Sequence, residues 1–273
     1  MTPKFGARPP LRNARLARNV DICFNLLSRD AGGQHGDITL AHWLDTLLDI
    51  TAIARDQNTL KSALSDLAER FQFSGYAYID LRFGHTLAIS NYHPDWQHHY
   101  FHNNFKLLDP VIQRAKKLRR AFSWSAETDT ASMSKRQKEF FANAADFNIR
   151  SGITVPVALP NRGTAMLTLA SSKPRPAIDG EIDAVMAAST VAQVHARIQA
   201  LQVTPSVEEP FHLTPKEVIF ARWLELGKTV QDVADVENLK YNTVRKTLEA
   251  LRARYDLCNN TQLVALAIRR GLM

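Results

Sequence analysis

The chain has 273 residues, of which 45% are hydrophobic and 22% charged, and its formal net charge is +7. This composition is typical of a soluble globular protein with room for two domains. Its two cysteines, Cys23 and Cys258, lie far apart in sequence, so we expect no structural disulfide. The sequence has no apolar run of roughly 18 residues, so we expect neither a signal peptide nor a membrane span. We therefore expect a cytoplasmic protein.

Positive charge is concentrated at the two ends of the sequence. Residues 1–38 carry six Lys and Arg against three Asp and Glu, residues 39–210 carry 18 against 17, and residues 211–273 carry ten against seven. We interpret residues 1–38 as a basic, partly disordered N-terminal extension, with a short helix at 14–27 and a glycine-rich hinge at 31–36. The basic C-terminal segment fits a part of the protein that binds phosphates.

Residues 39–202 alternate between helical and strand-like patterns. Apolar residues at helical spacing predict amphipathic helices, and short aromatic and aliphatic runs bounded by turn residues predict hairpins. The expected elements are helices at 43–50, 60–71, 95–105, 110–119, 135–148 and 179–201, and paired strands at 76–83 with 86–92 and at 151–159 with 164–171. Helices before, between and after antiparallel hairpins predict an α+β fold, here an α/β/α sandwich with an antiparallel sheet.

The long helix predicted at 179–201 is rich in alanine. Small side chains allow two helices to approach closely, as in the seam of a dimer. The same pattern also suits a helix that packs on the sheet of its own domain. Both interpretations stay open from the sequence.

Residues 203–212 contain two prolines and two acidic residues and predict a linker. In the segment 213–273 that follows, Thr214, Pro215 and Glu217 form a strong helix start, and Gly227 a helix stop. Thr229 opens a short second helix, and a third helix begins at about Tyr241 after a turn.

This third helix has two distinct faces. At about 100° per residue, Val244, Leu248, Leu251 and Tyr255 fall on one side and predict its core stripe. Asn242, Arg245, Lys246 and Glu249 cluster on the far side. A short helix, a tight turn and a longer helix with polar and basic outer residues is helix-turn-helix geometry, in which the third helix enters the major groove of DNA. A solvated face on a small helical bundle would give the same pattern.

Residues 91–125 mix aromatic side chains with a few hydrogen-bonding groups, which is typical of a small-molecule pocket. Tyr92 can donate its hydroxyl, Trp96 can donate its indole N–H, and Asp109 can accept. Each also has a simpler structural role open to it. Asp109 before Pro110 is a good N-cap, and Tyr92 and Trp96 would suit core aromatics whose polar tips bond to the backbone.

Several stretches resemble the LuxR family of quorum-sensing transcriptional regulators, and in particular its TraR-type members. They are Trp43–Asp45, Asn91–Phe101, Leu108–Pro110, Phe122–Ser125 and Ser151–Thr154, and, nearer the C-terminus, Leu213–Glu217, Gly227–Thr229, Asn242–Arg245 and Ala265–Leu272. The resemblance runs from about Ala41 to the C-terminus. It implies an autoinducer-binding and dimerisation domain at 39–202, a linker at 203–212 and a LuxR-type DNA-binding domain at 213–273.

For the pocket, the resemblance implies an N-acyl-homoserine lactone, with a 3-oxo-acyl chain as one option. Trp96 would donate to the lactone carbonyl, Tyr92 would donate to the amide carbonyl, and Asp109 would accept from the amide N–H. The other implied ligand-binding residues are Tyr100, Phe101, Ile112, Trp124, Gly152 and Thr168, the last near the third carbon of the chain. We expect no cofactor and no metal, because no nearby Cys and no further pair of histidines completes a site around His98 and His102, which lie one helical turn apart.

For the DNA, the resemblance implies Lys228 and Thr229 at the phosphate backbone and Arg245 at the base edges. The full implied set is Lys228, Thr229, Tyr241, Asn242, Arg245, Lys246 and Glu249. Glu249 departs from the TraR-type pattern, in which an arginine is usual. A glutamate there would repel phosphate or accept from cytosine N4, so the operator sequence stays open.

The resulting hypothesis is a transcriptional activator that is not an enzyme and that senses the lactone and binds a roughly palindromic double-stranded DNA site as a homodimer. It would regulate quorum-controlled genes such as those of plasmid conjugal transfer, with RNA polymerase or an anti-activator as further partners. We expect a loose domain without ligand, because an unpaired buried carboxylate is costly. The alternatives are an orphan receptor or inhibitory heterodimer partner, and an enzyme acting on the lactone, for which the sequence contains no Gly-x-Ser-x-Gly motif.

Overall fold

The computed structural model describes residues 40–82, 85–129, 133–175, 183–208 and 210–273. The extension, the hinge and the short helix expected within residues 1–38 lie outside these ranges, as do residues 179–182 at the expected start of the long helix.

The elements follow the predicted order closely. The strands are β1 (Gly75–Arg82), β2 (His85–Ser90), β3 (Phe122–Ser125), β4 (Ser151–Ala158) and β5 (Thr164–Ser171). The helices are α1 (Leu40–Ile53), α2 (Gln57–Arg70), α3 (Pro94–His102), α4 (Pro110–Leu118), α5 (Lys135–Ala145), α6 (Ala184–Ala200), α7 (Pro215–Glu225), α8 (Val230–Val236), α9 (Tyr241–Arg254) and α10 (Asn260–Arg269). A 3-10 turn at Phe105–Leu107 separates α3 from α4. The sequence predicted two helices here as well, with the first one continuing to residue 105.

The five strands form one antiparallel sheet in the order β2-β1-β5-β4-β3. Both predicted hairpins, β1–β2 and β4–β5, are confirmed, and β1 pairs with β5 across the centre of the sheet. The short strand β3 forms one edge and places Trp124 opposite Gly152 of β4. The predicted α+β sandwich is therefore confirmed.

Side chains alternate between the two faces of the sheet, and each face has its own apolar core. Ile153, Val155 and Leu167 lie on the face covered by α1, α2 and α6, where Leu47 and Leu64 are almost fully buried. Burial of one such leucine contributes about 1.5–3 kcal/mol. Met166 and Ala170 lie on the opposite face, under α3, α4 and α5. This second core surrounds the cavity described below.

Helix α6 packs on the sheet through one side only. Ala187, Val191, Val194 and Ile198 are buried against the first core. Its start differs from the predicted Asp179, because the Asp183 side chain accepts hydrogen bonds from the backbone N–H groups of residues 185 and 186 and so caps a helix that begins at Ala184. The packing interpretation of this alanine-rich helix therefore holds for its inner side.

Polar contacts fix α6 against β1. The Tyr78 hydroxyl lies 2.5 Å from Nδ1 of His195. Asp80 is fully buried and forms a salt bridge with Arg82 at 2.6 Å, and Gln199 on α6 hydrogen-bonds both partners. Burial lowers the pKa of His195, which therefore favours its neutral form. A neutral imidazole can share a proton with the Tyr78 hydroxyl and thereby fix the position of α6.

The four C-terminal helices form a separate core. Capping boxes start α7 at Thr214 with Glu217 and α8 at Thr229 with Asp232, as the sequence predicted. Gly227 follows α7 with a φ of +80°, a conformation that glycine adopts without strain. The predicted core stripe of α9 is buried, namely Val244, Leu248, Leu251 and Tyr255. Within the described ranges, no helix is long and apolar enough to cross a membrane.

The segment after α6 is attached to the sheet edge. Ser206 donates its backbone N–H to the carbonyl of Ala88 at 2.9 Å, and its hydroxyl bonds both the N–H and the carbonyl of Ser90. Thr204 hydrogen-bonds Gln57 through its N–H and its hydroxyl. The first residues of the expected linker are therefore held on β2 and α2.

Candidate ligand cavity and nucleic-acid interface

A cavity of about 110 Å³ lies between the sheet and helices α3, α4 and α5. Its wall is mostly aromatic and aliphatic, with a few polar groups, as in typical small-molecule sites. The lining residues are Ala77, Tyr78, Ile79, Ala88, Ser90, Tyr92, Trp96, Gln97, Tyr100, Phe101, Asp109, Val111, Ile112, Trp124, Phe140, Phe141, Ile149, Met166 and Thr168.

Tyr92 and Trp96 reach this wall from the start of α3. His93 caps the helix and Pro94 occupies its first turn, so the chain changes direction between the two aromatic residues. Trp96 is only 4% exposed and lies edge-on to Tyr100, with ring centroids 5.9 Å apart. Burial and the charge of Asp109 both raise the pKa of Tyr92, so its hydroxyl keeps its proton and can donate.

Asp109 has a structural role and faces the cavity as well. Its Oδ1 accepts from the N–H of Val111 at 2.8 Å and of Ile112 at 3.4 Å, which caps α4. Its Oδ2 accepts from the Tyr100 hydroxyl at 2.9 Å. Burial raises the pKa of Asp109 to about 6, and the hydrogen bonds from Tyr100 and the two N–H groups oppose this rise.

These bonds correct one expectation. The sequence suggested that an empty pocket would leave this carboxylate unpaired, but Asp109 already has three donors. The simpler N-cap interpretation is therefore confirmed, and it does not conflict with a ligand role. A carboxylate has about four lone-pair positions, so Oδ2 can accept from a further donor in the cavity.

A hydrogen-bonded series crosses three neighbouring strands and ends at the cavity. The indole N–H of Trp124 on β3 donates to Oγ1 of Thr154 on β4 at 3.1 Å, and this oxygen lies 2.9 Å from Oγ1 of Thr168 on β5. If Thr154 donates its single hydroxyl proton to Thr168, the Thr168 proton remains for an acceptor in the cavity. The series can therefore end in a donor.

The structure brings most of the predicted pocket residues together. Tyr92, Trp96, Tyr100, Phe101, Asp109, Ile112, Trp124 and Thr168 all line the cavity. Gly152 is the exception, because it lies behind Trp124. A Cβ on Gly152 would come within 2.7 Å of Trp124 and 2.3 Å of the Leu169 carbonyl, so only glycine lets the indole lie against β4.

Sequence reasoning missed the rest of the wall, most of which comes from distant elements. These residues are Ala77, Tyr78, Ile79, Ala88, Ser90, Gln97, Val111, Phe140, Phe141, Ile149 and Met166. The alternation along β1 could have indicated Ala77 and Ile79, since the hydroxyl of Tyr78 between them contacts His195 on α6. No local signal brings the Phe140–Phe141 pair of α5 to Trp124, which stacks on Phe141 at 5.8 Å.

The expected DNA-contacting residues lie on an accessible surface of the C-terminal helices. Lys228, Thr229, Tyr241, Asn242 and Lys246 are exposed, and Arg245 and Glu249 are partly exposed. Thr229 caps α8 by accepting from the N–H of Asp232, so its hydroxyl proton stays available to a phosphate oxygen.

The departure at Glu249 has a structural consequence. Glu249 forms a salt bridge with Arg245, one turn earlier on α9, with Nη1 and Oε1 2.6 Å apart. The Nε and Nη2 edge of this guanidinium remains able to form paired hydrogen bonds. Arg245 therefore still presents a fork of donors, held in one orientation by Glu249.

A small-molecule cavity in an α/β/α domain, followed by a helix-turn-helix, defines a ligand-responsive transcriptional regulator. The autoinducer binding domain family matches residues 56–198. The chain is 46% identical over 234 residues to the transcriptional activator TraR of Agrobacterium vitis, and it has the same identity to TraR of Rhizobium radiobacter. Each match covers 86% of this chain and 100% of the relative. It is 20% identical over 235 residues to LuxR of Aliivibrio fischeri, over 80% of this chain and 89% of that protein. The chain belongs to the LuxR family of autoinducer-responsive regulators and is similar to TraR.

Proposed function

We propose that the protein is a transcriptional activator that binds DNA when an N-acyl-homoserine lactone occupies the cavity. The observation that carries this proposal is the position of Tyr92, Trp96 and Asp109 on the wall of one apolar cavity. Such a lactone has two carbonyl acceptors, one amide donor and an apolar tail. The cavity offers two donors, one acceptor and an aromatic and aliphatic wall, which complement these groups of the lactone.

In the proposed complex, Trp96 donates to the lactone carbonyl, Tyr92 donates to the amide carbonyl, and Oδ2 of Asp109 accepts from the amide N–H. Tyr100, Phe101, Ile112 and Trp124 pack around the ring and the chain. The hydroxyl of Thr168 donates to an oxygen on the third carbon, directly or through water, so a 3-oxo substituent is favoured over an unsubstituted chain. The N–H···O⁻ bond at Asp109 requires the ionised carboxylate, which neutral pH supplies.

The DNA-binding form is proposed to be a homodimer. The outer side of α6 leaves Val185 80% exposed and Met186 42% exposed, and Ile53 at the end of α1 is 51% exposed. In the proposed dimer the second subunit packs on the small outer side chains of α6, and these exposed apolar residues lie on the same two helices. Two recognition helices from such a dimer would read a roughly palindromic site, which fits control of quorum-regulated genes such as those of conjugal transfer in the cytoplasm.

The test is the response of the purified chain to a 3-oxo-acyl-homoserine lactone. We expect the lactone to raise the melting temperature, because a ligand that binds only the folded state stabilises it, and to strengthen binding to a palindromic DNA selected from a random pool. Trp96→Phe should remove both effects, and Tyr76→Phe, on the opposite face of the sheet, should keep them. No rise in melting temperature with any lactone of four to fourteen carbons would refute the proposal.

A further inference from the structure

The recognition helix α9 contacts the ligand-binding domain at its C-terminal end. The side-chain Nδ2 of Asn104 donates to the backbone carbonyl of Arg254 at 2.8 Å. The last carbonyls of a helix have no partner within the helix, so a donor from outside completes them. The ligand-binding domain therefore supplies part of the C-terminal cap of the helix expected to read DNA.

A salt bridge lies beside this cap. Lys116 on α4 contacts Asp256 at 3.0 Å, two residues after the end of α9. Asp256 has a φ of +54°, the left-handed conformation in which the chain leaves the helix. Asn104 and Lys116 therefore hold the same helix end from two sides.

The capped residue is itself tied to the start of the C-terminal domain. The Arg254 guanidinium forms two hydrogen bonds with the Glu217 carboxylate, at 2.9 and 3.3 Å, and Glu217 caps α7 through the N–H of Thr214. Glu217 is only 5% exposed. Through these bonds, Arg254 and Glu217 connect the C-terminal end of α9 to the N-terminal end of α7.

Within the ligand-binding domain, both contacts come from residues near Asp109, the candidate acceptor of the lactone amide. Asn104 directly precedes the 3-10 turn 105–107, and the carbonyl of Phe105 accepts from the N–H of Asp109 at 2.7 Å. Lys116 lies two turns along the helix that Asp109 caps, about 10 Å away at 1.5 Å per residue. Gln113 donates to the carbonyl of Leu107 at 2.9 Å and joins the turn to this helix. Residues 104–116 thus form one hydrogen-bonded segment with Asp109 in its interior.

The junction between the two domains is polar. Within the part of the chain that the structure describes, the apolar cores of the ligand-binding domain and of the helix-turn-helix have no residue in common. A cap and an exposed salt bridge are weak and separable contacts, so a modest change at Asp109 can shift them. The exposed Tyr241, Asn242 and Lys246 remain accessible in the docked arrangement. Docking is therefore compatible with DNA binding.

We propose that residues 104–116 are a docking surface for the helix-turn-helix of the same chain, and that a ligand held at Asp109 stabilises this docking and so raises the affinity for DNA. The inference rests on the proposed function for its ligand, whereas the docking contact itself rests on the geometry alone. A bond from the ligand to Oδ2 would add to the three bonds that already hold Asp109, so the segment that carries Asn104 and Lys116 is held more firmly, and with it the recognition helix.

The experiment reverses the charges of the salt bridge in the full chain. Lys116→Glu and Asp256→Lys should each reduce the lactone-dependent gain in DNA affinity by about threefold to fivefold, the scale of one exposed ion pair. The double variant Lys116→Glu/Asp256→Lys should restore the gain. Lys117→Glu, which changes the charge of the exposed neighbour on the same helix, is the matched control and should behave as the wild type.

Amide hydrogen exchange across residues 254–258 measures docking independently of DNA. It should be faster in either single variant and in Asn104→Ala, and should return to the wild-type rate in the double variant. The proposal would be overturned by single variants in which the lactone-dependent gain in DNA affinity is unchanged or larger. It would also be overturned by a double variant that does not restore this gain. If the wild type shows no lactone response but the exchange pattern holds, the proposed ligand is wrong and the docking surface stands.

Discussion

The hydroxyl of Tyr100 donates to Oδ2 of Asp109 at 2.9 Å, at the residue where helix α4 begins. This bond favours the ionised form of a carboxyl group that burial would otherwise keep protonated. Tyr100 therefore controls the charge of the acceptor that the lactone amide is expected to use.

Tyr100→Phe should raise the pKa of Asp109 above its value of about 6, because the substitution removes a bond that lowers it. At pH 7 the lactone affinity should fall about threefold to tenfold, as is typical for loss of one hydrogen bond to a charged group. Titration of the intrinsic tryptophan fluorescence with lactone measures this. Tyr76→Phe removes a hydroxyl that bonds the carbonyl of Lys61 on the other face of the sheet, and is the control. Equal affinity in the two variants would contradict the role of Tyr100.

The pH dependence of stability should carry the signature of Asp109. Its folded pKa of about 6 lies above the ordinary value of 3.8 for an aspartate, so the folded state binds the proton more tightly between these two pH values. The free energy of unfolding of the ligand-free protein should therefore decrease as pH rises from 4 to 7, by up to about 3 kcal/mol from this group. Asn in its place keeps an N-cap and has no charge to bury, so Asp109→Asn should remove this decrease.

Ligand binding should show the opposite trend. In the proposed complex the amide N–H bonds the ionised form, so the affinity of the wild type should rise with pH through the pKa of about 6 and level off about one pH unit above it. Urea unfolding and lactone titrations at pH 4.5 and 7.5, on the wild type and Asp109→Asn, separate the two effects. A wild type whose lactone affinity is the same at both pH values would argue against Asp109 as the acceptor.

Thr168→Val should reduce the preference for a 3-oxo chain over an unsubstituted chain of equal length. If Thr154, which accepts from Trp124, donates its own proton to Thr168, the Thr168 proton is left as a donor to the cavity. Loss of this donor should lower the preference about fivefold to tenfold, measured by competition between the two lactones. Thr168→Ser keeps the hydroxyl and should keep the preference. Similar selectivity in the Val and Ser variants would rule out this donor.

Glu249→Gln should change the DNA sequence that the protein selects. The substitution weakens the 2.6 Å salt bridge that orients Arg245, and it removes a negative charge from the helix expected in the major groove. We expect tighter binding to random DNA and relaxed base preference at one position of each half-site, measured by selection from a random pool. Glu225→Gln, at the exposed C-terminal end of α7, is the charge-matched control. The same selected sequence and affinity as the wild type would refute a role for Glu249 in specificity.

Gly152→Ala should weaken the protein and the ligand site together. The new Cβ would lie 2.3 Å from the carbonyl of Leu169, which is backbone and cannot easily move, and 2.7 Å from Trp124. We expect a loss of about 1–3 kcal/mol in the free energy of unfolding, and weaker lactone binding as Trp124 is displaced. Gly163→Ala, where the nearest atom is Cγ of the long Arg82 side chain at 3.0 Å, should be milder. Thermal unfolding of both variants tests this difference.

Local signals predicted most of the fold, because caps and periodicity depend on neighbouring residues. Thr214 with Glu217 starts α7, and Thr229 opens α8, as the sequence indicated. The helical periodicity predicts a start for α6 at residue 179, which is too early, since nothing in this pattern indicates that Asp183 caps the helix.

The candidate site was only partly predictable, and for a physical reason. Tyr92, Trp96 and Asp109 lie within one stretch of sequence, and the family resemblance indicated them. The bond from Tyr100 to Asp109 depends on the 3-10 turn that brings α3 and α4 together, and no sequence pattern predicted this turn. The contact from Asn104 to Arg254 joins residues 150 positions apart, so it depends on how two domains meet.

Strand β1 has a different neighbour on each side. Ala77 and Ile79 line the cavity, and the buried Asp80 and the Tyr78 hydroxyl meet Arg82, Gln199 and His195 on the side of α6. Only the thickness of one strand separates an enclosed molecule from the helix whose outer surface would face a second subunit. If a ligand fills the cavity and a second subunit packs on α6, as proposed, β1 is the wall that lies between them, and a shift of this one strand would couple the two events.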